Sequence, residues 1–252
     1  MEAILEVKNL TKVFYKNKVP FTAVDQISFC IKKGECVAIV GESGSGKTTT
    51  AKILTQLIRP DAGNVFLDGT EYIHAKGKLR KEFYTKIQMV FQMPQDSFDP
   101  RHSLGDGIME SIRNYGMTKK EAQKRMIELL QMVELAPEYA KRYPHQVSGG
   151  QCQRAAIARA LAISPKLIVC DEATSALDVT VQAQIVTLLK KLKQEMGLSL
   201  LFISHDLGVV QNLCDRVLVM YQGKIVEEGT PNCIIQNPKE NYTKKLIESV
   251  FL

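Results

Sequence analysis

The segment Gly41-Glu42-Ser43-Gly44-Ser45-Gly46-Lys47-Thr48 places glycines around two serines and ends in a lysine and a hydroxyl. That order suits a polyphosphate. Glycines let backbone N–H groups approach a dense anion where side chains would intrude. Lys47 would bring a point charge to the β- and γ-phosphates, and the Thr48 hydroxyl a ligand for Mg2+. The apolar run Val37–Val40 precedes the segment, and a helical pattern follows it. A helix starting at Lys47 turns its positive end, Thr49 included, toward the same phosphates. These residues predict nucleotide binding but do not separate a GTPase, a kinase and an ATPase.

Two further stretches carry chemistry. Leu167-Ile168-Val169-Cys170 is an apolar strand that ends in Asp171 and Glu172. Acids at the carboxyl end of a buried parallel strand sit at the ligand-binding edge of the sheet. Asp171 would hold a Mg2+ shell, and Glu172 would polarise an attacking water. Val147-Ser148-Gly149-Gly150-Gln151 opens a second helix. Ser148 and Gln151 have capping-box spacing, and the two glycines beside them leave uncovered N–H groups suited to a phosphate.

The elements that must position these groups read as follows. Ile4–Val7, Ala23–Ile31, Glu35–Val40, Val65–Leu67 and Ile87–Phe91 are strand candidates. Lys47–Arg59 reads as a helix with Ala51, Leu54, Leu57 and Ile58 on one face, closed by Pro60 and Gly63. From about Ser103 to Ile163 the pattern is helical, with a capping box at Thr118 and Glu121. Strands then recur at Leu167–Cys170, Leu198–Ile203, Arg216–Met220 and Ile225–Glu227, with a helix through Val181, Ile185, Leu188, Leu192 and Met196 after the first. Buried strands alternating with helices predict a mainly parallel α/β sheet interrupted by a helical insertion.

Composition sets the bounds. With 252 residues, 45% hydrophobic and 24% charged, the chain can bury a proper core as a single domain. No apolar run approaches the roughly 20 residues of a membrane-spanning helix, and MEAILEVKNL lacks a secretory pattern. Six scattered cysteines show no paired spacing and are expected as reduced thiols, with Cys36 and Cys170 as small core residues. His74, His102, His145 and His205 have no metal-ligand spacing, and the net charge of +6 reads as solvated surface.

Taken in order along the chain, these motifs resemble the ABC transporter ATPase family. The match runs through the phosphate loop, Gln92 after Phe91, the signature at 147–151 (Val147 where the family has leucine), Asp171-Glu172, Ser175-Ala176-Leu177-Asp178, and His205. The resemblance implies a P-loop NTPase α/β fold with an N-terminal antiparallel β portion and an inserted α-helical subdomain. One domain, 1–252, would comprise an α/β core at about 1–102 and 164–252 and a helical part at about 103–163. It implies ATP and Mg2+ as ligands, with Gln92 joining Thr48 and Asp171 at the metal. Catalysis would fall to Glu172, His205, Gln92 and Lys47. Two cassettes, identical or paralogous, would face head to tail, so that Ser148, Gly149, Gly150 and Gln151 serve the partner's nucleotide, and Asp178 of the D-loop would also belong to the nucleotide-binding residues. Phe14 would stack on adenine, with Tyr15 as the alternative. Two membrane permeases, and through them an extracytoplasmic solute-binding protein, would be the partners at the cytoplasmic face of the membrane. Nucleic acid is not expected, because the long coiled coil or tandem cassettes of the DNA-repair and translation members are absent. The segment Phe91–Arg101 and Tyr143-Pro144-His145 resemble the peptide and nickel importer branch.

Overall fold

The computed structural model describes residues 2–251. Its strands form two sheets. The first is antiparallel, in the order β2 (Val19–Lys32), β1 (Ala3–Lys16), β4 (Ala62–Leu67) and β5 (Thr70–Glu71). The second runs β10 (Lys224–Gly229), β9 (Arg216–Tyr221), β3 (Cys36–Val40), β8 (Ser199–Ile203), β7 (Leu167–Asp171) and β6 (Ile87–Val90). All its pairings are parallel except that of β9 with β10.

The helices are α1 (Lys47–Leu54), α2 (Gly77–Lys86), α3 (Leu104–Arg113), α4 (Lys119–Met132), α5 (Gly149–Leu161), α6 (Val179–Met196), α7 (Leu207–Leu213), α8 (Pro231–Gln236) and α9 (Asn241–Phe251). Helices α3, α4 and α5 lie between β6 and β7 in the chain. No helix among the described residues is long and apolar enough to cross a membrane.

The central strands are buried on both faces because successive side chains point to opposite sides. Val37, Ile39, Leu201, Ile203, Leu218 and Met220 join one core with the antiparallel sheet and α1. Cys36, Ala38, Leu200, Phe202, Val217 and Val219 join a second core with α3 to α7. The mainly parallel sheet thus lies between the antiparallel sheet with α1 on one face and a helical layer on the other. Cys36 and Cys170 are buried free thiols, and Cys36 Sγ lies 3.3 Å from Cys214 Sγ.

Helix α1 is shorter than the Lys47–Arg59 pattern predicts. Gln56 takes a left-handed φ of 57°. Its N–H donates to Ile53 O (2.9 Å), and that of Leu57 to Lys52 O (2.8 Å). Together these bonds form a Schellman stop built on glutamine rather than glycine. Leu57 therefore leaves the apolar face and is 54% exposed.

Candidate nucleotide site

The loop from Gly41 to Gly46 is wedged between two strands. A Cβ on Gly41 (φ +151°) would stand 2.2 Å from the Met220 carbonyl oxygen at the end of β9. A Cβ on Gly46 (φ +108°) would stand 2.2 Å from the Ala23 carbonyl oxygen of β2. Gly44 (φ +81°) differs, having nothing within 4 Å of such an atom. The loop is therefore pinned at both ends and open at its crest, where Glu42, Ser43 and Gly44 are exposed and Ser45 is buried.

Lys47 is 5% exposed. Its Nζ donates to Gly41 O and Glu42 O at 2.7 Å each, and to Ser45 Oγ at 3.4 Å. Burial pushes its pKa down, while Glu172 and Asp171 pull the other way. A buried cation whose hydrogen-bond partners are all neutral oxygens of its own loop is a counter-charge prepared for an anion.

The other groups arrive on the carboxyl ends of adjacent strands. Asp171 closes β7 and is 5% exposed. Its Oδ1 accepts from Thr48 Oγ1 at 3.1 Å. Burial raises its pKa despite that bond. A hydroxyl and a carboxylate placed together are hard oxygen donors of the kind Mg2+ takes.

Glu172 has a left-handed φ of 48°. For a residue other than glycine this costs on the order of 1 kcal/mol or more. The surroundings hold it there. The Glu172 N–H donates to Ile203 O at 3.0 Å, and its carbonyl accepts from Ser175 N at 3.1 Å and Ser175 Oγ at 3.0 Å. The bend turns the carboxylate away from the strand direction. Its Oε2 accepts from Gln92 Nε2 at 2.7 Å, and its Oε1 lies 3.9 Å from His205 Nδ1. Strands β6, β7, β8 and β3 lie side by side, so Gln92, Glu172, His205 and the phosphate loop converge on one edge. Gln92, expected at the metal and among the catalytic residues, here presents its amide nitrogen to Glu172 rather than to the Thr48–Asp171 pair.

The signature lies apart from this cluster. No hydrogen bond or ion pair among the described residues joins Ser148–Gln151 to Gly41–Thr48. Ser148 caps α5 through a full capping box with Gln151, and Gln151 Nε2 donates to Tyr139 OH at 2.8 Å. Ser148 and Gly149 are exposed. Gly150 has a packing reason that the sequence did not reveal: its Cβ would stand 2.4 Å from Val181 Cγ1 on α6. Asp178 is exposed and caps α6, its Oδ1 accepting from Val181 N at 3.0 Å.

Phe14 is 38% exposed and Tyr15 75%. In the β1–β2 ladder Phe14 pairs with Phe21, and directly paired residues share a face. Phe21 lies two residues before Ala23, whose carbonyl oxygen neighbours Gly46. Phe21, 55% exposed, is thus a second exposed aromatic beside Phe14, one that the sequence did not single out because strand register is not written there.

A sequence profile described as ABC transporter matches residues 24–175. The chain is 46% identical over 253 residues to the oligopeptide transport ATP-binding protein OppF of Bacillus subtilis, covering 99% of this chain and 83% of that protein. It is 44% identical over 257 residues to the glutathione import ATP-binding protein GsiA of Pectobacterium atrosepticum, where it spans 99% of its own length but 41% of the relative's. Among solved structures it resembles the dimeric, post-hydrolysis ATP-binding cassette MJ0796 bound to ADP and Pi, with TM-score 0.82, 35% identity, and coverage of 90% of this chain and 98% of that one. It also resembles CbiO1 of Clostridium perfringens, part of the transporter complex CbiONQ, with TM-score 0.83, 28% identity, and coverage of 99% and 95%. With the phosphate loop, the acid pair and the signature in the geometry described, the chain belongs to the ABC transporter family as an ATP-binding and ATP-hydrolysing cassette.

Proposed function

We propose that this cassette drives uptake of peptides through separate membrane permeases, by hydrolysing ATP held between two cassettes. The observation that carries the chemistry is the convergence of Lys47, Thr48, Asp171, Glu172, Gln92 and His205 on one sheet edge, while Ser148 and Gly149 stay exposed elsewhere.

In this reading the loop Gly41–Thr49, through its N–H groups other than that of Glu42, and the Lys47 ammonium bind the β- and γ-phosphates. Phe14 stacks on adenine. Thr48, Asp171 and Gln92 would hold Mg2+, which would supply positive charge to neutralise phosphate oxygens. Glu172 accepts a proton from water as its oxygen attacks the γ-phosphorus and the bond to the β-phosphate oxygen breaks. His205 donates to the γ-phosphate and stabilises charge in the transition state. Ser148, Gly149, Gly150, Gln151 and Asp178 cover the nucleotide of the second cassette, a paralogue or a second copy. Losing the γ-phosphate then releases the two halves.

Transport of peptide, with nickel or a metal chelate as the alternative cargo, is supported by likeness to OppF and GsiA. A groove of about 780 Å³ beside α3, lined by residues including His102, Asp106, Met109, Arg113 and Lys119, supports docking of the two permeases, one on the helical part, about 103–163, of each cassette. The cassette then sits peripherally at the cytoplasmic face, linked to a solute-binding protein only through those permeases.

Vesicles carrying the genomically neighbouring permeases, the second cassette and the binding protein test this. Peptide should stimulate ATP hydrolysis and be taken up. Stimulation by nickel chelates alone would reassign the cargo, and co-purification with nucleic acid in place of permeases would favour a soluble, non-transport cassette.

A further inference from the structure

The second residue of the phosphate loop is held from outside the sheet by a side chain 200 positions away. The Glu42 N–H donates to Tyr242 Oη at 2.9 Å. The Glu42 carbonyl accepts from Lys47 Nζ at 2.7 Å. Glu42 is therefore gripped on both polar atoms, one by the lysine that must serve the phosphates and one by α9.

The grip is built in depth. The Tyr242 ring stacks on Tyr221, with centroids 4.0 Å apart and planes at 28°. Tyr221 follows Met220, the residue whose carbonyl pins Gly41. The entry to α9 is fixed as well, for Glu227 on β10 accepts from Lys239 N at 2.9 Å and Glu240 N at 3.1 Å. A continuous path thus runs from β10 through the start of α9 and Tyr242 to the loop.

We propose that Tyr242 is a positioning residue for nucleotide binding: its hydroxyl and ring make α9 a clamp on the phosphate loop. The physical reason lies in what ligand entry demands. On reaching a γ-phosphate, the Lys47 ammonium must divide its three donors between the phosphate and the carbonyls of Gly41 and Glu42. Its inward pull on the loop weakens, and the Tyr242 bond to Glu42 remains to hold the loop's shape. The clamp touches no phosphate and no attacking water, so it acts on binding and not on the chemical step. The proposal rests on reading Gly41–Thr48 as the phosphate loop.

Tyr242→Phe in the full chain tests it, since Phe keeps the stacked ring and removes only the acceptor. Losing one such bond is expected to speed hydrogen exchange in the 41–48 segment of the nucleotide-free protein about two- to tenfold. The dissociation constant for MgATP should rise by a similar factor while kcat stays within about twofold. Glu42→Pro removes the donor instead, and in that background Tyr242→Phe should have no further effect on either readout. Unchanged exchange and affinity in Tyr242→Phe, a loss confined to kcat, or a Tyr242→Phe effect that persists beside Glu42→Pro would overturn the clamp. If the wild-type chain bound no MgATP, the nucleotide reading would fall, and the exchange experiment would still decide whether Tyr242 holds the loop.

Discussion

Replacing Gly46 by alanine places a methyl carbon 2.2 Å from the Ala23 carbonyl oxygen and 2.8 Å from Met220 Cε. Close carbon–oxygen contacts in proteins stop near about 3.3 Å, so the new atom stands roughly 1.1 Å too close to backbone that belongs to a paired strand. Overpacking of this kind costs about 1–3 kcal/mol. The left-handed φ of 108° adds about 1–2 kcal/mol for alanine. Reduced freedom of the unfolded chain returns about 0.4–1 kcal/mol. The net loss is about 1–5 kcal/mol. Gly44→Ala isolates the steric part, because its φ of +81° carries a similar strain with nothing within 4 Å to strike. The two variants should therefore differ by about 1–3 kcal/mol, close to 1 M in urea midpoint at a slope of about 2 kcal/mol/M. Urea unfolding followed by far-UV circular dichroism measures this directly. Equal midpoints for the two alanines would refute the view that the loop is wedged between β2 and β9.

Other substitutions probe neighbouring parts of the account. Gly150→Ala should lower stability by about 1–2 kcal/mol through its clash with Val181, and adding Val181→Ala should restore it; calorimetry of the pair reads the rescue. The raised Asp171 pKa means that the native state binds more protons than the unfolded chain between the unfolded value, about 3.9, and the folded one. Stability therefore falls as pH rises through that window and stays reduced above it. Asp171→Asn should unfold at higher urea than wild type at pH 7, with the gap closing below about pH 4, while the Mg2+ dependence of nucleotide binding is lost. Phe14→Ala should weaken ATP binding by about three- to tenfold without changing the urea midpoint appreciably, as titration calorimetry will show.

The chemistry of the site was more legible than its geometry. Gly41–Thr48 and Asp171-Glu172 announced themselves by residue type and order, and apolar runs such as Leu200–Ile203 placed their strands, because buried parallel strands leave a strong local signal. The left-handed bend at Glu172 left no trace, since nothing in an acidic side chain calls for that conformation; it is imposed by Ile203 and Ser175. The end of α1 was misjudged for a related reason, as glutamine at position 56 fills a place where glycine is the usual signal. Helix α2 escaped notice because Phe83 is its only buried residue, which leaves no apolar period to read. The second glycine of the signature also has a packing role that the sequence did not reveal, because Val181 leaves no room for a Cβ there. Contacts such as Tyr242 with Glu42 join residues too far apart in sequence for any local pattern to reveal.

The most direct test compares MgATP binding and turnover on the same samples of wild type, Lys47→Ala and Glu172→Gln, each paired with its second cassette. Glu172→Gln should bind as wild type does and lose at least a hundredfold in kcat, the lower range for a displaced general base. Lys47→Ala should lose binding. Turnover undiminished in Glu172→Gln, or wild-type affinity in Lys47→Ala, would contradict the assignment of this sheet edge as the hydrolytic site.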